Sequence, residues 1–160
     1  MDKGFEFWST KNIFPFIAAY WALFFLFDSA GTWLAVATKN PFPYLIVGII
    51  PYPIIKIYRL LHNPYHRIEE SIRQVDPELY SRSLQEETKK LVINIGSSEK
   101  AYNRARLIHE LNRTGLHSNN LKVALYAKNV RAIDNSAMAS LATWFFSFMG
   151  LMLFLFLTRS

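Results

Sequence analysis

The sequence contains no cysteine and only six glycines. Without cysteine the chain can form no disulfide and no thiolate metal site, and its redox compartment stays open. The stretch INIGSSEK lacks the second glycine of the phosphate-binding pattern GxxxxGK[ST]. The GxSxG, HExxH and GxGxxG patterns are also missing. These absences favour a protein that is not an enzyme and that carries no cofactor.

Charge is scarce over long stretches of the chain. Residues 137–158 carry none, and a helix of this length measures about 33 Å, enough to cross a hydrocarbon core of about 30 Å. Residues 13–38 form a second apolar run with a single charge. Residues 42–61 form a third run, interrupted by Pro51 and Pro53, which fits either a kinked span or a re-entrant segment. We favour the kinked span, because a hairpin then places the basic middle of the chain on one side.

These runs predict an all-α membrane protein with about three transmembrane helices, an N-terminal hairpin and a C-terminal span. A basic, amphipathic helical segment connects the hairpin to the last span. The first ten residues carry both charge signs, so we expect no signal peptide. The predicted segments are an interfacial N-terminal arm (1–12), the transmembrane hairpin (13–61), the polar helical segment (62–135) and the C-terminal transmembrane helix (136–160).

Prolines, glycines and capping residues divide the polar segment into helices. Its last amphipathic stretch either continues into the C-terminal span or breaks near Asp134. The predicted helix starts are at Asn63-Pro64, Asp76-Pro77, Ser97-Ser98 and Asn119 or Asn120, and the predicted ends are at Gly96 and Gly115.

One face of the first apolar run combines a carboxyl group with small side chains. On a helix Asp28 shares this face with Gly31, Thr32 and Ala35. Gly31 and Ala35 form a small-xxx-small pair, which lets a second helix approach closely. An ionised carboxylate facing lipid would cost about 2.5–3.5 kcal/mol on insertion scales, so we predict that these four residues pack against another helix. The opposite side, predicted to face lipid, carries Leu23, Phe27 and Leu34.

Basic residues concentrate in the middle of the chain. Of the 18 Lys and Arg residues, 14 lie between Lys56 and Arg131. A basic segment between spans is a topology signal and attracts anionic lipid. We therefore expect residues 62–135 on the positive (matrix or cytoplasmic) side of the membrane, with Lys56 and Arg59 contacting lipid headgroups. Nucleic acid is not an expected partner.

A histidine pair is the nearest approach to a metal site. His62 and His66 stand at i and i+4, a spacing that can chelate a metal on a helix face. Pro64 lies between them and places a helix start inside the pair. Glu69 and Glu70 are the nearest acids, and neither completes a familiar metal-binding pattern with the two histidines. We therefore predict no metal site here. A membrane enzyme or haem carrier using this region is a third functional interpretation.

The leading functional interpretation is a non-catalytic accessory subunit that helps to assemble and stabilise a larger membrane complex. The missing catalytic patterns and the small-residue face around Gly31 favour it. The expected partners are other subunits and membrane lipids, anionic lipids among them. Because energy-converting membranes carry many such subunits, we expect a multi-pass protein of the mitochondrial inner membrane, in a respiratory chain or ATP synthase. The alternative is a small homo-oligomeric transport or proton-handling protein that uses Asp28.

Overall fold

Helices account for the regular structure of the part of the chain that can be described. The computed structural model describes residues 2–62, 65–90 and 98–158, with side chains described outside 87–90 and 98–105. In these ranges the helices are α1 (Lys3–Trp8), α2 (Phe14–Thr38), α3 (Phe42–Val47), α4 (Pro51–His62), α5 (Tyr65–Val75), α6 (Pro77–Lys90), α7 (Ser98–Gly115) and α8 (Leu121–Leu157).

Three helical stretches are long and apolar enough to cross a membrane. They are Phe14–Thr38, Phe42–His62 and Leu121–Leu157. The prediction of an all-α chain with three such helices is confirmed. The first stretch is α2, the second combines α3 and α4, and the third is α8.

The second apolar stretch is broken at residues 48–50, immediately before its two prolines. A proline has no backbone N–H, so it cannot donate the usual hydrogen bond to the carbonyl four residues earlier. Hydrogen bonds between residues three apart replace some of those lost here. Ile50 N donates to Val47 O at 3.3 Å, and Tyr52 N donates to Ile49 O at 3.1 Å. The interruption is therefore a tight turn between two helices.

In the described part of the polar segment, the helices start and end near the predicted capping residues. Asp76 Oδ1 accepts a hydrogen bond from Leu79 N at 3.0 Å, at the start of α6. Helix α7 ends at Gly115, and Asn120 Oδ1 accepts from Lys122 N at 3.0 Å at the start of α8. The last amphipathic stretch continues into the C-terminal apolar run without a break. The predicted start at Asn63-Pro64 and the predicted end at Gly96 lie outside the described residues.

The chain divides into two units. The polar unit comprises Met1–Ile13 and Leu60–Ala132, and the apolar unit comprises Phe14–Arg59 and Ile133–Ser160. The N-terminal segment thus groups with the polar middle of the chain, and the two apolar ends group together. Two of the boundaries between the units fall inside helices. One lies between Arg59 and Leu60 in α4, and the other lies between Ala132 and Ile133 in α8.

Helix α1 is packed into the polar unit by its aromatic side chains. Phe5 and Trp8 are 0% and 1% exposed, while Phe7 is 39% exposed. The ring of Phe5 lies 5.1 Å from the ring of Tyr126 on α8. Two of the three aromatic residues of the predicted interfacial arm therefore belong to a protein core. The same unit buries Ile68, Ile72, Leu79, Leu107, Ile108, Leu111 and Val123.

The side of α2 that is predicted to face lipid is not its most exposed side in the structure. Beyond its first residue, Phe14, which is 76% exposed, the most exposed large side chains of α2 are Phe25, Leu26 and Trp33, at 55%, 65% and 70%. Leu23, Phe27 and Leu34 are only partly exposed. At about 100° per residue they lie only about 70° from the centre of the buried stripe, so they flank that stripe instead of opposing it. The stripe itself consists of Tyr20, Phe24, Gly31 and Ala35.

Candidate functional site

The carboxyl group of Asp28 is hydrogen-bonded inside the apolar unit. Tyr44 Oη on α3 lies 2.5 Å from Asp28 Oδ1 on α2 and donates to it. The same hydroxyl lies 3.2 Å from the carbonyl oxygen of Trp144 on α8. A tyrosine hydroxyl carries one proton, so it donates to one of these two oxygens at a time. One buried side chain thus contacts the polar atoms of two other helices.

The small residues near Asp28 lie where α2 meets α3. A Cβ atom added to Gly31 would stand 3.3 Å from Gly48 N and 3.3 Å from Tyr44 Cδ2. Ala35 is fully buried and belongs to a core cluster with Tyr44 and two leucines of α8. The missing side chain at position 31 is therefore what allows the two backbones to approach closely.

Thr32 contributes differently from its three predicted companions. Its Oγ1 donates to the backbone oxygen of Asp28 at 2.8 Å, within its own helix. This bond satisfies the hydroxyl without a partner on a second helix, as is usual for Thr in helices. The structure thus places Asp28, Gly31 and Ala35 at contacts with other helices, and Thr32 in a contact within α2.

Gly48 is a close-packing position that the sequence reasoning did not identify. A Cβ atom there would stand 2.9 Å from Tyr44 O and 3.0 Å from Trp144 Cδ1. The rings of Tyr44 and Trp144 are stacked, with centroids 6.4 Å apart and planes inclined by 8°. The available signal was a glycine three residues before the first of two helix-breaking prolines.

A second polar contact between the first and last apolar helices was also missed. Tyr20 Oη and Ser140 Oγ lie 2.5 Å apart, and both side chains are buried. Ser140 Oγ also donates to Ala137 O at 2.8 Å, so its proton goes to its own helix when Tyr20 donates to it. Nothing in the local sequence distinguishes Ser140 from other serines of a helix.

The two predicted headgroup residues lie in α4. Arg59 forms an ion pair and a hydrogen bond with Asp134 of α8, and 23% of its side chain is exposed. Lys56 Nζ stands 5.7 Å from the ring centroid of Tyr52, within the range of a cation–π contact. Each cation therefore has a protein partner, and contact with lipid headgroups stays a prediction for both.

In the polar unit, one amide holds the N-terminal segment against α8. Asn129 Nδ2 donates to Trp8 O at 2.7 Å and to Thr10 O at 2.8 Å. Asp2 N donates to Ser71 Oγ at 2.9 Å. Asn129 is 5% exposed and lies among the apolar side chains of its helix face. An amide in such a stripe was the signal that sequence reasoning did not use.

The corner between α5 and α6 carries a small charged network. Tyr80 Oη donates to Glu69 Oε1 at 2.9 Å, and burial together with this carboxylate raises the pKa of the Tyr80 hydroxyl. Arg73 and Gln74 donate to Glu70 Oε1 at 2.8 and 3.1 Å, and these hydrogen bonds lower the pKa of the Glu70 carboxyl. These contacts connect helices and neighbouring turns of one helix.

The polar unit contains a cavity of about 250 Å³. Its two hydroxyls, Ser83 Oγ and Thr114 Oγ1, lie 3.3 Å apart and bond to each other. The Glu110 carboxylate pairs with Arg113 at 2.8 Å. Each of these groups therefore has a hydrogen-bond or ion-pair partner within the protein. The cavity is lined by Leu79, Arg82, Ser83, Glu86, Glu110, Thr114 and His117.

The histidine pair does not assemble a metal site in the described part of the chain. His62 and His66 are both exposed, and residues 63–64 between them lie outside the description. Among the described residues, no group of three or more His, Asp or Glu side chains could hold a metal ion.

Compared with known proteins, the chain matches no family model, no curated protein and no solved structure.

Proposed function

We propose that the chain is a non-catalytic accessory subunit of a larger membrane protein complex, in which it acts in assembly and structural stabilisation. The observation that carries the proposal is the hydrogen bond between Tyr44 and Asp28. It gives the one carboxyl group of the first apolar helix a role in joining helices. A proton relay needs further polar groups in series, but the neighbouring Thr32 hydroxyl bonds to its own helix backbone.

The exposed surface of the three apolar helices supports a partner-rich environment. Only 17%, 22% and 17% of the residues in their most apolar stretches are buried. The remaining surface is available to lipid and to other subunits, which are the proposed partners. Small side chains on the exposed side of α2, including Ala18, Ala22 and Ser29, are of the kind that permit close helix contacts.

The location follows from the charge pattern. We propose a multi-pass protein that crosses the membrane three times, with residues 62–135 on the positive (matrix or cytoplasmic) side. The narrower proposal is an energy-converting membrane, such as the mitochondrial inner membrane with its respiratory chain or ATP synthase. It rests on how common such subunits are there, not on an individual residue.

The test of the proposal is isolation of the chain with its partners. The membrane is extracted in mild detergent, complexes are separated on a native gel, and mass spectrometry identifies the proteins that migrate with this chain. We expect a large complex with the chain at fixed stoichiometry. Migration as a homo-oligomer without other proteins would contradict the proposal and favour the transport alternative.

Proton flux separates the two functions at a single residue. Purified chain is reconstituted into proteoliposomes, and flux is compared for the wild type, Asp28→Asn and the control Ser29→Ala, an exposed neighbour. We expect no flux above protein-free vesicles for any of the three. A wild-type flux that Asp28→Asn abolishes and Ser29→Ala preserves would establish proton handling instead.

The absence of native cysteine makes the proposed topology directly testable. Single cysteines are introduced by Asn40→Cys, between α2 and α3, and by Gln85→Cys, on the exposed surface of α6. A membrane-impermeant maleimide should label the two positions from opposite sides of the membrane. Labelling of both from the same side would contradict three full spans with this orientation.

A further inference from the structure

Three exposed cations of the polar unit lie near the apolar runs along the chain. Lys11, Lys128 and Arg131 are exposed, and none of them has an ion-pair partner among the residues that the structure describes. Lys11 lies three residues before the start of α2 at Phe14. Arg131 is followed along α8 by one further charge, Asp134, and then by none up to residue 158.

A partly buried hydrogen bond places the chain next to Lys11 against α8. Asn129 Nδ2 donates to Thr10 O at 2.8 Å, which fixes the residue before Lys11 against α8. Lys128 immediately precedes Asn129 in that helix, and Arg131 lies one turn after Lys128 on the same exposed face. Lys11 therefore follows directly on a residue that is bonded to α8 beside Lys128 and less than one turn from Arg131.

Two other basic side chains near an apolar run, both in α4, have protein partners. The guanidinium of Arg59 pairs with Asp134, and the ammonium of Lys56 lies over the ring of Tyr52. The three cations of the polar unit differ because their charges remain available to an outside anion. At the edge of an apolar run, the anion that this position meets in a membrane is a lipid headgroup.

We propose that Lys11, Lys128 and Arg131 form a contact site for the headgroups of anionic phospholipids. An arginine can bind two phosphate oxygens at once, and the two lysines add point charges beside it. The inference rests on the membrane-spanning part of the proposed function and is independent of any partner subunit. A basic residue near an anionic membrane surface contributes about 1 kcal/mol, which corresponds to about a fivefold change in affinity.

The test uses the full chain in nanodiscs made of equal parts phosphatidylcholine and phosphatidylglycerol. After release, native mass spectrometry measures the ratio of phosphatidylglycerol-bound to phosphatidylcholine-bound protein. We expect the wild type to favour phosphatidylglycerol. The triple variant Lys11→Gln, Lys128→Gln, Arg131→Gln should lower the ratio at least about fivefold.

Lys122→Gln is the matched control. Lys122 is an exposed cation of the same helix, also without an ion pair among the described residues, and lies about 14 Å farther along α8 from the apolar run than Arg131. Its substitution should leave the ratio unchanged. Equal losses in the control and the triple variant, or no lipid preference in the wild type, would overturn the site.

Two further readouts keep the result interpretable. Circular dichroism checks that the triple variant is folded, and the single variants Lys11→Gln and Lys128→Gln repeat the measurement if it is not. A lipid preference that depends on these residues would stand even if no partner complex were found. Failure of this site and failure of the accessory-subunit proposal are therefore distinguishable.

Discussion

Replacing Gly4 by alanine should dislodge the N-terminal helix from the polar unit. A Cβ atom at this position would stand 1.6 Å from the carbonyl oxygen of His62 and 2.9 Å from Asp2 Oδ1. Real Cβ atoms essentially never approach a neighbour within 3.0 Å, so the first gap must nearly double. The opposing atom is backbone and cannot rotate away. Either α1 or the end of α4 has to move by more than 1 Å.

The energetic cost follows from what such a movement disturbs. Phe5 and Trp8 are almost completely buried, and Asn129 holds two carbonyl groups of the same segment. Overpacking a well-filled site costs about 1–3 kcal/mol, and a lost hydrogen bond about 1 kcal/mol. Alanine gains about 1 kcal/mol over glycine in a helix. We expect a net loss of about 2 kcal/mol in the free energy of unfolding.

Thermal unfolding in detergent, followed by circular dichroism, measures this loss for Gly4→Ala. Lys3→Ala, at the exposed neighbouring position of the same helix, is the control and should behave as the wild type. Trypsin cleavage after Lys11 should become faster in Gly4→Ala alone. If Gly4→Ala were as stable as the wild type or more stable, the packed position of α1 would be refuted. An arm lying free at the membrane interface would then be the better description.

Three further predictions concern single side chains. Tyr44→Phe should lower the free energy of unfolding by about 0.6–1.7 kcal/mol, since interhelical hydrogen bonds in membranes contribute this much. Titration with a denaturing detergent measures this loss. If Tyr44→Phe cost as much in an Asp28→Asn background as in the wild type, the two residues would not be coupled. Asn129→Ala should cost about 1–3 kcal/mol and speed amide exchange in residues 8–11, and unchanged exchange would contradict its holding role. Arg73→Gln should raise the pKa of the Glu70 carboxyl in an NMR titration. The lowered pKa of Glu70 contributes stability that is present above the ordinary value and lost as pH falls through the lowered one, so the variant should lose part of this acid dependence.

The helices were predictable because their signals are local. The absence of charge from residues 13–38 and 137–158 predicts apolar helices whatever the rest of the chain does. A proline at the first helical position and a glycine at a helix end act within one turn, as at Pro77 and Gly115. The sequence leaves open whether α8 continues through Asp134, because a short polar side chain of this kind can either start a helix or lie inside one. The tertiary contacts of the residue determine which of the two occurs.

The contacts that organise each unit could be predicted only in part. Asp28 and Gly31 indicate a contact with another helix, because a carboxyl group in an apolar run needs a partner and a glycine there permits close approach. Their partner, Tyr44, is an ordinary aromatic residue in the sequence. The partners of Tyr20 and Asn129 lie about 120 residues away along the chain, and no local pattern relates such positions. The difference between the predicted and the observed exposed side of α2 has the same origin, because the direction of burial depends on where the other helices lie.

The sequence separation of the polar contacts in the apolar unit sets the order in which they can form while the chain is being synthesised. Asp28 and Tyr44 are 16 residues apart, so their hydrogen bond can form as soon as the hairpin is made. Arg59 and Asp134 are 75 residues apart, which a ribosome needs about 4–15 s to synthesise at about 5–20 residues per second. Throughout that interval Arg59 lacks its final partner at the end of an apolar helix. In the proposed three-span arrangement the hairpin is therefore synthesised first, and Arg59 gains its ion pair with Asp134 only after α8 has followed.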